Sequence, residues 1–532
     1  MGRRNDLTLG ALTAGYVASL APSWRRFIAA TRQPQRAQHG VLKQLLQTCA
    51  GSTQADRYKL HTVSSFSEFQ DRVPIRDYEA YASDIERTAL AVPKVLTNEA
   101  VRMLERSSGS SGGNKLIPYT AGLLADFSAA TSPWLFSMYA RRPQLLHTKS
   151  YWSVSPAAQE KAYSQGGLPI GFEDDTEYFG PVARWTIQKI LAVPSTMARI
   201  SDLKTWQFTT VRHLLGCAEL GFISVWSPTF LTRLMQGVRA HLQDILPTLE
   251  PGRARQINEG LQKHGEICGP ALWPRLALIS CWTDGHAARF VPAVRTDFPG
   301  VEIQPKGLLA TEGVFSFPLS PLGGGPPEGA IAALTSHVLE LIDLEHPQRR
   351  PIPIHLARPG ARYAPLMSTR GGLLRYHLKD AVACVGTLSA APLFRFEGKL
   401  DRTSDLCGEK LNAKDVERAL GHASAQSQAT PQFAMLAPSP QREPPGYTLY
   451  VEGLSTDLGA FADAVEAALR RNHHYNYARD LGQLGPAEPV AVRDGQASYE
   501  AALMQRGVRA GDIKPTPLDK RTFWHEVFEA VD

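Results

Sequence analysis

Residues 105–118 read ERSSGSSGGNKLIP, and the seven positions from Ser107 to Gly113 hold four serines and three glycines. Small hydroxyl side chains and glycines let backbone N–H groups approach a polyphosphate closely, and Lys115 adds a point charge. A flexible Gly/Ser linker is the plain alternative. An apolar, proline-containing turn and a helix-like run follow at once, which a linker does not need. The Walker phosphate loop does not fit. It requires Gly, four residues, then Gly-Lys-Ser/Thr, whereas Asn114 precedes Lys115 here and Leu116 follows it.

At 532 residues the chain is long enough for two or more domains with sizeable cores. A hydrophobic share of 43% with 20% charged residues is ordinary globular composition and excludes wholesale disorder. The net charge of +6 is spread among interleaved acids, so no nucleic-acid partner is expected. Cys49, Cys217, Cys268, Cys281, Cys384 and Cys407 lie far apart without a CxxC pair, which suits a reducing cytoplasm better than zinc or disulfides. The apolar run Leu7–Ala21 after MGRRND is diluted by Thr8, Thr13 and Ser19 and is too short to span a bilayer. It reads as an amphipathic first helix packed on its domain.

Helical patterns cover 23–80, and AVPKVLTNEAVRMLERSS reads as a strand leading into the serine-glycine loop. Tyr119–Ala140 reads as a helix, and helix dominates around GFISVWSPTFLTRLMQGV. Buried strands are expected in ALWPRLALISCWTDG and VEIQPKGLLATEGVFSFPL, a surface loop at SPLGGGPPEG (320–329), and a hairpin near GGLLRYHLKDAVACVG. Beyond FRFEGKLDRTSD the pattern changes to a compact α+β unit in which LGAFADAVEAALRRNHHYNYARDLG reads as one helix. Together these give an α/β chain: residues 1–396 with mixed sheets and helices, then a small α+β domain, 397–532, joined by a hinge near Gly398–Asp401.

Three separated motifs carry the chemistry. They are SSGSSGGNK (107–115), LLATEG (308–313), where a buried strand ends in Thr311-Glu312, and LLRYHLKD (373–380), where Asp380 closes a strand. A carboxylate just past a buried strand suits Mg²⁺, and another can grip ribose hydroxyls. Taken alone, a strand-terminal Asp or Glu is more often a turn or helix cap. His473 and His474 point about 100° apart on a helix and read as surface histidines.

In this order, and followed by a small C-terminal domain, the motifs resemble the adenylate-forming superfamily and, within it, the GH3 family of acyl acid–amido synthetases. That family carries SSGTSxGxxKLMP against SSGSSGGNKLIP here, Ser-Ser-Glu or Thr-Glu against Ala310-Thr311-Glu312, and GLYRYRxGD against GLLRYHLKD. VWSPTFL (225–231), PLFRF (392–396) and LRRNHHYNYARDLG (469–482) are similar to GH3 segments too, so the resemblance runs from about residue 60 to the end. Leu308 replaces an aromatic residue, and Leu374, His377 and Lys379 stand where Tyr, Arg and Gly are usual.

The resemblance implies ATP and Mg²⁺ as reactant and cofactor. Ser107, Ser108, Gly109, Ser110, Ser111, Gly112 and Lys115 would hold the β- and γ-phosphates. Thr311 would contact the adenylate phosphate, Glu312 would ligate Mg²⁺, Tyr376 would lie in the nucleotide site, and Asp380 would accept the ribose hydroxyls. Lys410 would meet the α-phosphate. Lys514, or Lys520 after it, would be the mobile catalytic lysine of the C-terminal domain. The implied reaction forms an acyl-AMP from a carboxylic acid and passes the acyl group to an amino acid. A thiol acceptor and a non-catalytic nucleotide-binding protein are the alternatives. Trp226, Phe230, Trp282 and Phe315 suggest an apolar or aromatic acid, and equally a core.

Overall fold

Tyr16, Leu20, Phe27 and Ala30 recur at helical spacing and are all buried, so one face of the first helix, Gly2–Arg32, enters the core. Its Trp24 ring lies 4.9 Å from Phe136 on the helix Ala121–Arg141, and Phe27 lies 4.9 Å from Phe317. The amphipathic packing expected of this segment is present, and the helix runs on through Pro22. The computed structural model describes residues 2–107, 115–152, 162–171, 188–194, 196–197, 200, 202–320, 328–400, 403–404, 406–407, 409, 411–506, 508 and 513–528. Most of the loop expected at 320–329, residues 321–327, lies outside them. No helix among the described residues is long and apolar enough to cross a membrane.

The chain divides into two compact units, Met1–Glu397 and Gly398–Asp532. Within the first, an antiparallel hairpin joins Val101–Ser107 to Lys115–Thr120. The Thr120 hydroxyl then caps the helix Ala121–Arg141 by accepting from Leu123 N–H. A parallel sheet follows in the order Lys149–Trp152, Leu220–Ser224, Leu278–Cys281, Glu302–Pro305. The helices Leu203–Gly216, Pro228–Ile245 and Pro251–His264 lie between these strands in sequence, and their apolar faces share a core with Ile223, Ile279 and Trp273. The segment GFIS, expected as helix, is strand: five fully buried apolar or small residues are too short a run for their period to distinguish the two.

A larger antiparallel sheet is ordered Ser316–Phe317, Ala330–Ala332, Ala391–Lys399, Asp380–Leu388, Arg362–Ser368, Val338–Asp343, Ile352–Pro353, with Tyr376–His377 paired to Arg362–Ser368. The second unit pairs Phe433–Ser439 antiparallel with Gly446–Glu452, and Glu488–Ala491 runs parallel beside them. Its expected single helix over 458–482 is two, Leu458–Leu469 and His473–Asp480. Asn472 explains the break, because its side chain accepts from His474 and Tyr475 N–H and starts a new helix.

Candidate active site

In the 101–120 hairpin Ser107 pairs with Lys115. Ser108, Gly109, Ser110, Ser111 and Gly112 lie outside the described residues, as does Lys410. The Lys115 ammonium lies 3.4 Å from the Glu79 carboxylate and 5.1 Å from the centre of the Tyr78 ring. The Tyr78 oxygen accepts from Leu116 N–H at 2.9 Å, so the helix Tyr78–Ala89 clamps the strand where it leaves the loop. Burial, aided by the charges of Glu79 and Glu312, raises the Tyr78 phenol above its ordinary value.

Further along the same strand, the Tyr119 hydroxyl donates to the Thr311 carbonyl at 2.6 Å. Thr311 and Glu312 form the turn between Leu309–Ala310 and Gly313–Val314. Beneath that turn, Val314 N–H donates to Nε2 of fully buried His337 at 3.1 Å, which requires a neutral imidazole. Burial, with the Arg370 charge adding to it, pushes the His337 pKa down to about 3.

Glu312 is itself buried, and the Tyr376 hydroxyl donates to it at 3.1 Å. Burial and then the Glu312 charge raise the Tyr376 phenol well above the usual tyrosine range, which keeps its proton in place as a donor. Tyr376 is positioned from both sides. Arg76 N–H donates to the Arg375 carbonyl at 3.2 Å, and His377 N–H donates to the Arg76 carbonyl at 2.8 Å. Arg375 grips Glu340 at 3.0 Å, with both side chains buried. Removing one partner of such a pair costs about 3–5 kcal/mol, so this arginine of the third motif serves the scaffold.

Asp380 is fully buried and opens the strand Asp380–Leu388 instead of closing one. The reason is Lys379, whose φ of 56° interrupts the extended backbone after Tyr376–His377. That left-handed conformation costs an L-residue about 1–2 kcal/mol. Three contacts oppose the cost: the Lys379 ammonium reaches Asp77 at 2.9 Å and Glu79 at 3.8 Å, and Lys379 N–H donates to His377 Nδ1 at 3.1 Å. The hydrogen bond from Lys379 is the main influence holding the Asp77 carboxyl below its usual range. Asp77, Tyr78 and Glu79 were not among the expected site residues. Their only sequence signal is that Asp77 precedes a helix, where its side chain caps Ala80 N–H.

Lys115, Thr311, Glu312 and Tyr376 are thus linked through Tyr78, Tyr119 and Glu79, and Asp380 follows Tyr376 by four residues. In the second unit Lys514 is half-buried, with its carbonyl accepting from the Tyr499 hydroxyl at 3.2 Å, and Lys520 is half-buried too. The expected pocket aromatics divide. Trp226 and Trp282 pair at 5.4 Å, Phe230 packs on Tyr151 and Trp206, and Phe315 is fully buried against Phe394 in the main core.

Residues 23–252 match the GH3 family N-terminal domain, residues 331–399 the GH3 family central domain, and residues 414–521 the GH3 family C-terminal domain. The chain belongs to the GH3 family. Indole-3-acetic acid-amido synthetase GH3.8 of Oryza sativa subsp. indica is 23% identical, with 98% of this chain and 93% of the relative covered. A GH3 domain-containing protein of Mus musculus is 26% identical over 47% of this chain and 49% of its own. A solved structure of AtGH3.15 acyl acid amido synthetase in complex with 2,4-DB is similar with a TM-score of 0.82 at 17% identity, covering 97% of each chain. The GH3 fold therefore extends over nearly the whole chain.

Within this GH3 fold the four departures from the usual pattern have local accounts. Leu308 packs half-buried against the main core, and Leu374 is fully buried. Tyr81 holds the Leu374 backbone from both sides, accepting from its N–H at 2.7 Å and donating to its carbonyl at 2.6 Å. His377 and Lys379 support each other through the hydrogen bond already described.

Proposed function

We propose that this chain is an ATP-dependent acyl ligase that activates a carboxylic acid as its acyl-adenylate and passes the acyl group to the amine of an amino acid. The observation that carries this reading is the joining of the three motifs through Tyr119–Thr311 and Tyr376–Glu312. Relatives named as amido synthetases support it.

In the first step a carboxylate oxygen of the acid attacks the α-phosphorus of ATP and the bond to pyrophosphate breaks. Ser107, Ser108, Gly109, Ser110, Ser111, Gly112 and Lys115 hold the departing phosphates by N–H groups, hydroxyls and charge. Thr311 and Lys410 contact the α-phosphate, and Asp380 accepts the ribose hydroxyls. Lys514 is the charge that the C-terminal unit contributes. The Glu312 carboxylate is a hard anionic oxygen donor, oriented by Tyr376, and so fits Mg²⁺. When bound, Mg²⁺ neutralises charge on phosphate oxygens. In the second step the amine nitrogen attacks the acyl carbonyl, the bond to AMP breaks, and the amine proton passes to solvent. Five of the six cysteines are buried, which suits operation in the reducing cytoplasm.

The test is ATP–pyrophosphate exchange with a broad panel of carboxylic acids, followed by AMP release with amino acids and, separately, with coenzyme A. Exchange stimulated by an acid and amino-acid-dependent amide formation are the expected results. Stimulation by no acid defeats the enzyme reading, and a strict requirement for coenzyme A defeats the amide assignment.

A further inference from the structure

A pocket of about 420 Å³ in the first unit is lined by six polar residues, Gln44, Gln47, Thr48, Asn98, Glu99 and Arg370. None of them belongs to the three motifs. Gln44, Gln47 and Thr48 share one face of the helix Pro34–Cys49, because positions three and four apart are neighbours on a helix. Asn98 and Glu99 precede the strand Val101–Ser107, and Asn98 N–H donates to the Thr48 carbonyl at 3.0 Å. Arg370 lies three residues before the third motif. The volume is that of a small-molecule site, but such sites are mostly apolar and this lining is not. It suits a small hydrophilic ligand.

Two opposite charges border the pocket, each fixed by a scaffold contact that uses only part of the group. Arg370 Nε donates to Asp126 Oδ1 at 2.8 Å, and Nη2 donates to the same oxygen at 2.5 Å. Nη1 has no hydrogen-bond partner among the described residues. With the second Nη2 N–H it forms an end-on fork, the geometry that takes a carboxylate through two hydrogen bonds. Glu99 Oε2 accepts from Gly122 N–H at 2.7 Å at the start of the helix Ala121–Arg141, and Oε1 accepts from no described residue. Gly122 permits this approach: a Cβ there would lie 2.8 Å from both Glu99 carboxylate oxygens and 3.0 Å from Arg370 Cβ. No ion pair joins Arg370 to Glu99 among the described residues. Bracing Asp126 and capping a helix explain each side chain singly. They do not explain why a guanidinium edge and a carboxylate oxygen meet at one pocket with three amides and a hydroxyl.

We propose that this pocket binds a free α-amino acid with a polar side chain, its carboxylate on the Arg370 fork and its ammonium on Glu99 Oε1. The amides of Gln44, Gln47 and Asn98 and the Thr48 hydroxyl hydrogen-bond the side chain of the ligand. Charges of both signs select a zwitterion, because a simple carboxylate or a simple amine leaves one charge of the pocket unanswered. Both protein groups are held in place before the ligand arrives, so little ordering is needed on binding. None of the six residues is assigned above to ATP, and the inference does not rest on the acyl-ligase reading.

The experiment is isothermal titration calorimetry of the full-length protein, without ATP or a carboxylic acid substrate. The probes are serine, threonine, asparagine, glutamine, aspartate and glutamate. The tightest binder is compared with its N-acetyl derivative, which loses the ammonium, and with its α-amide, which loses the α-carboxylate. Each derivative should bind at least about tenfold more weakly, the loss of one charge-assisted hydrogen bond. Glu99→Gln keeps an oxygen for Gly122 N–H but not the charge, so it should weaken the amino acid by a similar factor and erase the preference over the N-acetyl form. Gln44→Trp, at an exposed helix position, should fill the pocket and abolish binding, with circular dichroism unchanged. Binding of none of these amino acids, or equal binding of the derivatives by the unaltered protein, overturns the proposal even if a variant does not fold. Undiminished binding by either folded variant places the amino acid elsewhere and overturns it too. Because no turnover is read, a failure of pyrophosphate exchange is distinguishable from a failure of this site.

Discussion

The Tyr376 hydroxyl donates to the Glu312 carboxylate at 3.1 Å, joining motifs 64 residues apart in the chain. Tyr376 can orient Glu312 but cannot replace its charge, so the two should differ in effect. Glu312→Gln should lower acid-dependent pyrophosphate exchange by about a thousandfold, the rate equivalent of roughly 4 kcal/mol. Tyr376→Phe removes one hydrogen bond to a charged group and should cost about ten- to a hundredfold. Equal losses in the two variants would contradict the division of labour.

The segment that carries Glu312 is held at its base by Gly307. Its φ is +77°, and a Cβ there would lie 2.6 Å from the Ser316 carbonyl oxygen and 2.9 Å from the Ala330 Cβ. A backbone oxygen cannot swing aside as a long side chain can. Gly307→Ala should therefore destabilise the first unit by about 2–4 kcal/mol, combining left-handed strain with overpacking. Urea unfolding followed by tryptophan fluorescence measures it, and an unchanged midpoint would show that the turn relaxes freely.

The second and third motifs were legible because each is contiguous, one a turn and the other a strand entrance, whereas residues 108–114 of the first lie outside the described residues. Contacts between distant segments left no such mark. Lys306 reaches Ser224 across 82 residues, and Tyr119 reaches Thr311 across 192, with no local pattern announcing either. GFIS was misread because a fully buried strand has no alternation to display. The helix break at Asn472 was readable in principle, since asparagine after two arginines is a capping residue, but the apolar period on either side masked it. Asp380 was placed at the wrong end of its strand because nothing in LLRYHLKD announces that a lysine adopts a left-handed backbone.

That lysine provides a further check. Alanine is ordinarily more stable than glycine at a given site, because glycine leaves the unfolded chain more entropy. At Lys379 the order should reverse, since φ is 56° and only glycine adopts it without strain. Lys379→Gly should be more stable than Lys379→Ala by about 1 kcal/mol in urea unfolding. Both lose the same contacts to Asp77 and Glu79, so the difference isolates the backbone. The usual order would mean that the loop rearranges when the side chain is cut back.

Stability towards acid should depend on His337. Its Nε2 accepts from Val314 N–H, and the ring is wholly buried, with Asp126 3.8 Å from Nδ1 and the edge of Phe127 against it. Burial depresses its pKa from the model-compound value of 6.5 to about 3. Above pH 6.5 the imidazole is neutral in folded and unfolded chains alike, and it adds no pH dependence. Between 6.5 and 3 the unfolded chain binds a proton that the folded chain refuses. His337 therefore lowers stability as pH falls, by up to about 1.4 kcal/mol per pH unit. Asp126 acts in the opposite sense: burial raises its carboxyl to about 7, so the folded chain takes up a proton there in the same window, and the histidine is read from the difference between variant and unaltered protein. His337→Gln should be less stable at neutral pH, having lost a fitted ring beneath the turn that carries Glu312. Its stability should nevertheless decline less between pH 6.5 and 5 than that of the unaltered protein. Urea unfolding at a series of pH values tests this, and parallel declines would show that His337 takes up its proton without unfolding.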